Sequence, residues 1–512
     1  MGKISCKNNE SDMLNLVASK ALEKVTTGIT GLDKILHGGL PRGRCTIVAG
    51  GPGTGKSILG LEFIAFRAQN GSPGIFVTFE ERADAIRINA MTFGIDLSAL
   101  EKNDSLFLLD ARPDPEAIVS GDFSIKGMLA IIGGKAAEIG AKHIVFDAMD
   151  VLLNLYSNPS RERKEMYLLH NWLLDNQFTA MLTVKNARSL YREHSFLDFM
   201  MDCVILMDAK QLEQVTTRRI RVVKYRGSSY SSNEHPFIFK RGIRVIPLSS
   251  ALLARMPTQK HVKTGSKKLD AMMNGGYMKG SSILISGQSG TGKTTAACMF
   301  TQSACANKEK VLYVSYEESQ EAILSNMRST GIDLKPMLED GYLRFLNFMP
   351  EARAADEHLV DTIDAIDAFR PEHIVVDAIS ACSRMGTKQT AFEFVARLIN
   401  ACKERGNTLL LLNQLERADE VLGEVSGIGI SSLIDTALLM QYKRTPGQTR
   451  RIIEIIKARG SMHSNKIEDF IITEKGIEIG GKARGNKKPQ TGAKNDSGGA
   501  LRLQKSAKGA NK

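Results

Sequence analysis

Short runs of consecutive apolar residues punctuate this chain. In its first half they are Cys45–Ala49, Ile75–Phe79, Ile144–Phe146, Met181–Val184 and Val204–Met207; in its second half they are Ile283–Ser286, Val311–Tyr316, Ile374–Val376, Thr408–Leu412 and Ala437–Gln441. Stretches of helical character separate them. Near-continuous apolar strands alternating with helices predict an α/β fold, a mostly parallel sheet covered by helices on both faces. Each half closes on two strands joined closely, Arg218–Tyr225 with Phe237–Phe239 and Arg451–Lys457 with Phe470–Thr473. These predict antiparallel additions at the sheet edge.

The two halves are copies of one another. Thr27-Gly28-Ile29-Thr30-Gly31-Leu32-Asp33 returns as Thr264-Gly265-Ser266-Lys267-Lys268-Leu269-Asp270, and His37-Gly38-Gly39 returns as Asn274-Gly275-Gly276. The period is far too long for a solenoid, so two whole domains are expected. The predicted organisation is an N-terminal extension (1–22), a first domain (23–248), a linker (249–260) containing the Met256-Pro257 step, a second domain (261–481) and a tail (482–512).

Each copy carries a glycine-rich loop between a strand and a helix. Gly50-Gly51-Pro52-Gly53-Thr54-Gly55-Lys56-Ser57 and Gly287-Gln288-Ser289-Gly290-Thr291-Gly292-Lys293-Thr294 both fit G-x-x-x-x-G-K-[ST]. The glycines let the backbone wrap phosphates with its N–H groups turned inward, and the helix N-terminus adds favourable electrostatics. Lys56 and Lys293 are expected to reach the β- and γ-phosphates of ATP. Ser57 and Thr294 are expected to hold Mg²⁺ through their hydroxyls, with Thr295 beside the nucleotide.

Acidic residues recur at matched distances. Glu80-Glu81 and Glu317-Glu318 follow the next strand in each copy, and the first glutamate lies 24 residues after the loop lysine in both. A glutamate there can orient or deprotonate an attacking water, and its neighbour can serve a metal or a hydroxyl substrate. Glu318 is the expected general base toward a hydroxyl, with Glu317 nearer the metal. Asp147 and Asp377 end buried strands and are the expected Mg²⁺-water anchors. His143 and His373, read as preceding those strands, are expected to be structural. Lys224-Tyr225-Arg226-Gly227 and Lys457-Ala458-Arg459-Gly460 close a late strand in each copy, with Lys and Arg on one face. They are either a solvated strand end or, from a strand at the sheet edge, a cationic pair offered to a neighbouring subunit's phosphate.

These residues together resemble the KaiC family, two-domain circadian-clock ATPases and autokinases of the RecA superfamily. The resemblance spans about residues 23–480 and includes Pro113-Asp114-Pro115-Glu116 and Gly121-Asp122-Phe123, similar to the family's partner-binding region of the first domain. It implies two tandem RecA-like P-loop NTPase domains and a homo-oligomer, a hexamer of two stacked rings formed with ATP, with ATP at subunit interfaces. It implies a slow ATPase in the first domain and, in the second, a kinase that phosphorylates adjacent hydroxyls. The matching pair is Ser431-Ser432, where the family pattern is Ser-Thr. The first copy has Glu193-His194-Ser195-Phe196-Leu197 in the comparable region and no such pair. A KaiB-like regulator is implied on the first domain. The Lys/Gly-rich chain after Gly480 lacks the family's regulatory loop, so a KaiA-type activator is not expected. Leu182-Thr183-Val184-Lys185-Asn186 replaces a Thr-Glu-Arg-like element and implies altered interface or ATPase tuning.

Charge and cysteine usage narrow the alternatives. The net charge is +12, but the tail alone carries nine Lys/Arg against one Asp. That tail reads as a solvated, disordered extension or as an arm for nucleic acid or an acidic partner; it has no aromatics to stack on bases, so nucleic acid is not the expected partner. The seven cysteines form no Cys-x-x-Cys pair, which fits a cytoplasmic protein without structural zinc or disulfides. No apolar run reaches the roughly 20 residues of a membrane helix, and Met1–Asn15 has no signal-type apolar core. Beside the autokinase reading stand a RecA-like DNA recombination or repair ATPase and a nucleotide-gated scaffold with little chemistry. DNA-stimulated turnover that falls with salt marks the former; full function after Glu80→Gln and Glu317→Gln marks the latter.

Overall fold

The computed structural model describes residues 22–113, 125–156, 158–185, 196–212, 215–247, 260–415, 429–446 and 448–480. All of the linker except Lys260, and the tail, lie outside these residues, as do most of the segment 113–123, Asn186 and Glu193-His194-Ser195.

The first half opens with a two-stranded ladder, β1 (Lys24–Val25) against β2 (Leu40–Pro41). Nine strands then form one sheet: β3 (Cys45–Gly50), β4 (Gly74–Thr78), β5 (Leu106–Asp110), β6 (His143–Asp147), β7 (Thr179–Lys185), β8 (Cys203–Leu212), β9 (Val215–Tyr225), β10 (His235–Phe239) and β11 (Ile243–Val245). Their order is β5-β4-β6-β7-β3-β8-β9-β10-β11. The first six in this order are parallel and the last three run antiparallel to their neighbours.

The second half repeats the design. β12 (His261–Val262) pairs with β13 (Tyr277–Met278). A second nine-stranded sheet contains β14 (Ser282–Gly287), β15 (Val311–Ser315), β16 (Leu343–Asn347), β17 (His373–Asp377), β18 (Thr408–Gln414), β19 (Thr436–Thr445), β20 (Gln448–Ala458), β21 (Glu468–Thr473) and β22 (Gly476–Ile479). Its order, β16-β15-β17-β18-β14-β19-β20-β21-β22, is the same topology. The tandem RecA-like α/β fold is therefore as expected.

Alternation along the strands feeds two cores per sheet. In β3, Cys45 and Ile47 pack with Ile75, Leu129, Phe146 and Leu169 on one face. Val48 turns to the other, where Phe63 and Ile64 of the helix Lys56–Gln69 meet Phe76 and Val145. That helix lies so close to the sheet that a Cβ on Gly60 would sit 2.8 Å from Val145 Cγ1.

Three sequence expectations need correction. The late strands β9 and β20 are not edges: two further strands lie outside each. His143 and His373 open β6 and β17 rather than precede them. β5 and β16 are not among the expected strands; both form the true parallel edge with partly exposed residues, and in β16 Arg344 interrupts the apolar run, whereas sequence reasoning missed the run Leu106–Leu109 of β5.

The halves meet through charge. The helix Ala355–Phe369 offers Asp356, Asp361 and Asp364 to the outer strands of the first sheet. Asp356 lies 2.7 Å from Arg219 and 2.8 Å from Arg397, and Lys240 bridges Asp361 and Asp364, 2.7 Å from each. Arg244 also pairs with Asp364. Asp356 is 9% exposed as a side chain, so its loss takes this carboxylate from Arg219 and leaves Arg397 with Glu393 alone. Asp356→Ala is expected to cost about 3–5 kcal/mol, read as a lower denaturation midpoint.

A second stability prediction concerns Glu62. Its carboxylate accepts the Ile243 N–H at 2.7 Å, tying the helix Lys56–Gln69 to β11. Burial pushes this carboxyl up to about 7 from 4.5. A folded-state value above the unfolded one means that folding takes up a proton between the two. The contribution is complete below 4.5 and is lost as pH rises through 7. Between pH 5 and 8 the parent should therefore lose Tm relative to Glu62→Gln, by roughly 2–4 °C for each kcal/mol.

Candidate functional site

Each phosphate-type loop begins where the central strand, β3 or β14, runs out at the carboxyl end of the sheet. The backbone must turn at once into the helix Lys56–Gln69 or Lys293–Ala306. Gly53 and Gly55 have φ of +69° and +96°, and Gly290 and Gly292 have +75° and +108°. Side chains rarely adopt this left-handed region. Space is short as well: a Cβ on Gly55 would lie 2.4 Å from the Phe239 ring, and one on Gly292 would lie 2.9 Å from Ile472. The outer antiparallel strands thus roof the loops.

Each loop lysine folds back over the carbonyls of its own loop. Lys56 Nζ donates to Gly50 O and Gly51 O, both at 2.9 Å, and Lys293 Nζ donates to Gly287 O and Gln288 O at 2.8 and 2.9 Å. Burial lowers the pKa of both lysines, opposed by nearby acids, Asp150 first for Lys56 and Asp377 first for Lys293. Thr54 and Thr291 brace their loops through Gly51 O and Gln288 O. Thr295 is buried beside the loop.

The strand-end aspartates sit under these loops. Asp377 Oδ2 accepts from Thr294 Oγ1 at 2.9 Å and Tyr313 Oη at 2.8 Å. Asp147 Oδ1 accepts from Thr183 Oγ1 at 2.6 Å, and Ser57 also bonds Asp147. Burial is the main influence on both carboxyls and raises them, Asp377 to about 6, while the hydroxyl donors oppose it.

The glutamate pairs follow β4 and β15, whose last residues are Thr78 and Ser315. Two strands separate them from the loop-bearing strand, so they approach across the crevice rather than from a neighbouring strand. The two members of each pair differ. Glu80 Oε1 lies 3.1 Å from Lys185 Nζ, and Glu317 acts electrostatically on Lys293. Glu81 and Glu318 instead each accept from an asparagine of the following helix, Asn89 and Asn326, at 2.9 Å. Gly55, Lys56, Ser57, Glu81, Asp147 and Phe239 all line one cavity of about 450 Å³.

The Lys-x-Arg elements and the serine pair lie elsewhere. β19 runs parallel to β14, with Thr436 opposite Ile283 and Met440 opposite Gly287. Its start is therefore at the far end of the sheet from the loop. β20 runs back, bringing Lys457 opposite Ala437 at that same far end. Lys457 Nζ donates to Ser431 O at 3.0 Å and Ile434 O at 2.7 Å. Ser431 is half-buried and Ser432 exposed in the turn Ile430–Ser432. In the first domain Lys224 likewise binds the carbonyls of Asp198 and Phe199, and Arg226 that of Phe199. It is strand direction, and not an edge position, that takes these cations away from their own phosphate loop.

The histidines are structural, as expected: His143 Nε2 meets Ser72 and Arg67, and His373 Nε2 meets Glu309 at 2.8 Å. Sequence reasoning missed Thr183, Tyr313 and Asp150. Thr183 and Tyr313 carry a visible signal, a hydroxyl flanked by apolar residues within a buried strand.

Comparison with known proteins decides the family. The family model "ATPase: KaiC" matches residues 25–250 and again residues 262–484. The chain belongs to the KaiC family of ATPases. It is 36% identical to "Circadian clock protein KaiC2" of Synechocystis sp., over 90% of this chain and 82% of that one. It is 33% identical to "Circadian clock oscillator protein KaiC" of Synechococcus elongatus, over 93% and 92%. ATP binding follows from membership, and no helix among the described residues is long and apolar enough to cross a membrane.

Gly55→Ala is expected to abolish nucleotide binding at the first loop and leave the second intact. Calorimetric titration with ATP should fall from two sites per chain to one.

Proposed function

We propose that this KaiC-family ATPase is a serine autokinase acting as a signalling or timing hub, working as an ATP-dependent homo-hexamer in which catalysis is shared between subunits. The observation that carries the reading is the separation just described. Ser431 and Lys457 are bonded to each other at one end of the second sheet, while the loop of Lys293 opens at the other. The climb along β14 from Ile283 to Gly287, at about 3.3 Å per residue, puts roughly 13 Å between the two levels. A phosphoryl group bound at Lys293 therefore meets the serines of a neighbouring copy, and Lys457 and Arg459 meet a neighbour's nucleotide.

In the first domain, Glu80 with Glu81 orients or deprotonates the water. The water oxygen bonds the γ-phosphorus as the bond to the β,γ-bridging oxygen breaks, leaving ADP with the electron pair and phosphate, while the proton passes to the glutamate. In the second, Glu318 takes the proton of a Ser431 or Ser432 hydroxyl as its oxygen displaces ADP. The pairs Ser57–Asp147 and Thr294–Asp377 suit Mg²⁺, which takes few protein ligands besides water and phosphate oxygens; Glu317 lies near the same loop. When bound, that ion neutralises charge on the β- and γ-phosphate oxygens. The remaining cations, Lys224, Arg226, Lys457 and Arg459, serve the transition state across the subunit boundary. The segment 113–123 supports a KaiB-like regulator on the first domain, in the cytoplasm.

Mixing two inactive proteins tests the shared site. Ser431→Ala/Ser432→Ala and Glu317→Gln/Glu318→Gln proteins, each alone with γ-labelled Mg·ATP, should leave the Ser431–Ser432 peptide unlabelled. Mixed under subunit exchange, they should label the intact serines. Label in the parent but none in the mixture would refute transfer between subunits, and an ATP-independent monomeric native mass would refute the hexamer.

A further inference from the structure

The two nucleotide sites share their topology but differ in one charged residue at the carboxyl end of the strand beside the phosphate-loop strand. In the first sheet, Lys185 of β7 stands opposite Gly50. Its ammonium lies 3.1 Å from Glu80 Oε1 and 3.5 Å from Asp150 Oδ2. Its backbone N–H donates to Asp150 Oδ1 at 3.0 Å. Asp150 is only 7% exposed and so is a fixed anchor, whereas Glu80 is 50% exposed and otherwise able to turn. In the second sheet the position opposite Gly287 is Gln414, and its N–H meets Ser380 Oγ at 3.3 Å. Ser380 follows Asp377 by three residues, as Asp150 follows Asp147. The cation and its anchor have both been replaced by neutral groups.

We propose that Lys185 is a positioning residue of the first site, a tether that holds Glu80 against Asp150 and slows ATP hydrolysis there. This rests on the reading of Glu80 as the group that handles the water. An ammonium held against a carboxylate oxygen occupies that oxygen's lone pair and restrains its rotation toward a water. The hydrogen bond to Glu80 raises the pKa of Lys185, so the ammonium stays charged throughout the physiological range. Half-exposed pairs of this kind are weak, so the tether tunes turnover rather than abolishing it. In the second site the neutral Gln414 and Ser380 cannot exert the same restraint on Glu317.

The test uses the full chain with the second site silenced by Lys293→Ala, comparing ATP turnover with and without Lys185→Gln. The variant should raise kcat about three- to five-fold, as expected for release of a weak ion pair, with KM unchanged. Lys185→Arg should keep the parental rate because it keeps the ion pair. The reverse graft, Gln414→Lys with Ser380→Asp in a chain silenced by Lys56→Ala, should slow the second site by a similar factor. A fall in kcat together with a higher KM for Lys185→Gln makes Lys185 a phosphate ligand and overturns the tether. An unchanged kcat overturns it as well. If the Lys293→Ala background hydrolyses no ATP at all, the ATPase assignment of the first domain fails, and the tether with it.

Discussion

Everything at the two sites depends on how a buried parallel strand ends. β3 and β14 are enclosed by neighbours on both sides and by helices on both faces, so their backbone groups are satisfied along their whole length. The chain leaves such a strand only at its carboxyl end, and it must begin a helix there immediately. Glycines in the left-handed region make that reversal, and the helix start leaves unpaired N–H groups around a space too tight for a Cβ. Lysine, hydroxyl and aspartate then gather at one point because three strands end there.

Strand direction divides the remaining chemistry. Parallel strands deliver Asp147, Asp377 and the glutamate pairs to the loop end of each sheet. The antiparallel return of β9 and β20 delivers Lys224 and Lys457 to the opposite end. The same constraint places the serines, since the turn Ile430–Ser432 shortly precedes β19 and must sit where that strand begins. Assembly then becomes a chemical requirement of the proposed autokinase: complementary halves of one site lie at opposite ends of one protomer.

Duplication copied this geometry while the side chains diverged. Tyr313 donates to Asp377 in the second sheet, while the corresponding strand of the first carries Phe76, and Thr183 supplies the hydroxyl to Asp147 from another strand. Lys185 and Gln414 differ in the same way. The halves are held together by Asp356, Asp361 and Asp364 on one helix against Arg219 and Arg244 of the first sheet's outer strands and Lys240 of the turn between β10 and β11. Those outer strands also carry Phe239 over the first loop, so the seam between the domains and the roof of a nucleotide site share one structural element.

The fold class, the duplication, both phosphate loops and the acids near them are legible in the chain alone. Those features are local: a glycine pattern, an apolar run and a fixed spacing are set by neighbours along the chain. Even Lys185 is visible there as a departure, but only as an unexplained one. Which residues share an environment is settled by folding in three dimensions. Lys185 meets Glu80 across 105 positions of chain and Arg219 meets Asp356 across 137, separations at which no periodicity survives. The order of strands and the direction of each determine such pairs. They also turn Lys457 away from its own phosphate loop, because a strand's apolar pattern reads the same in both directions.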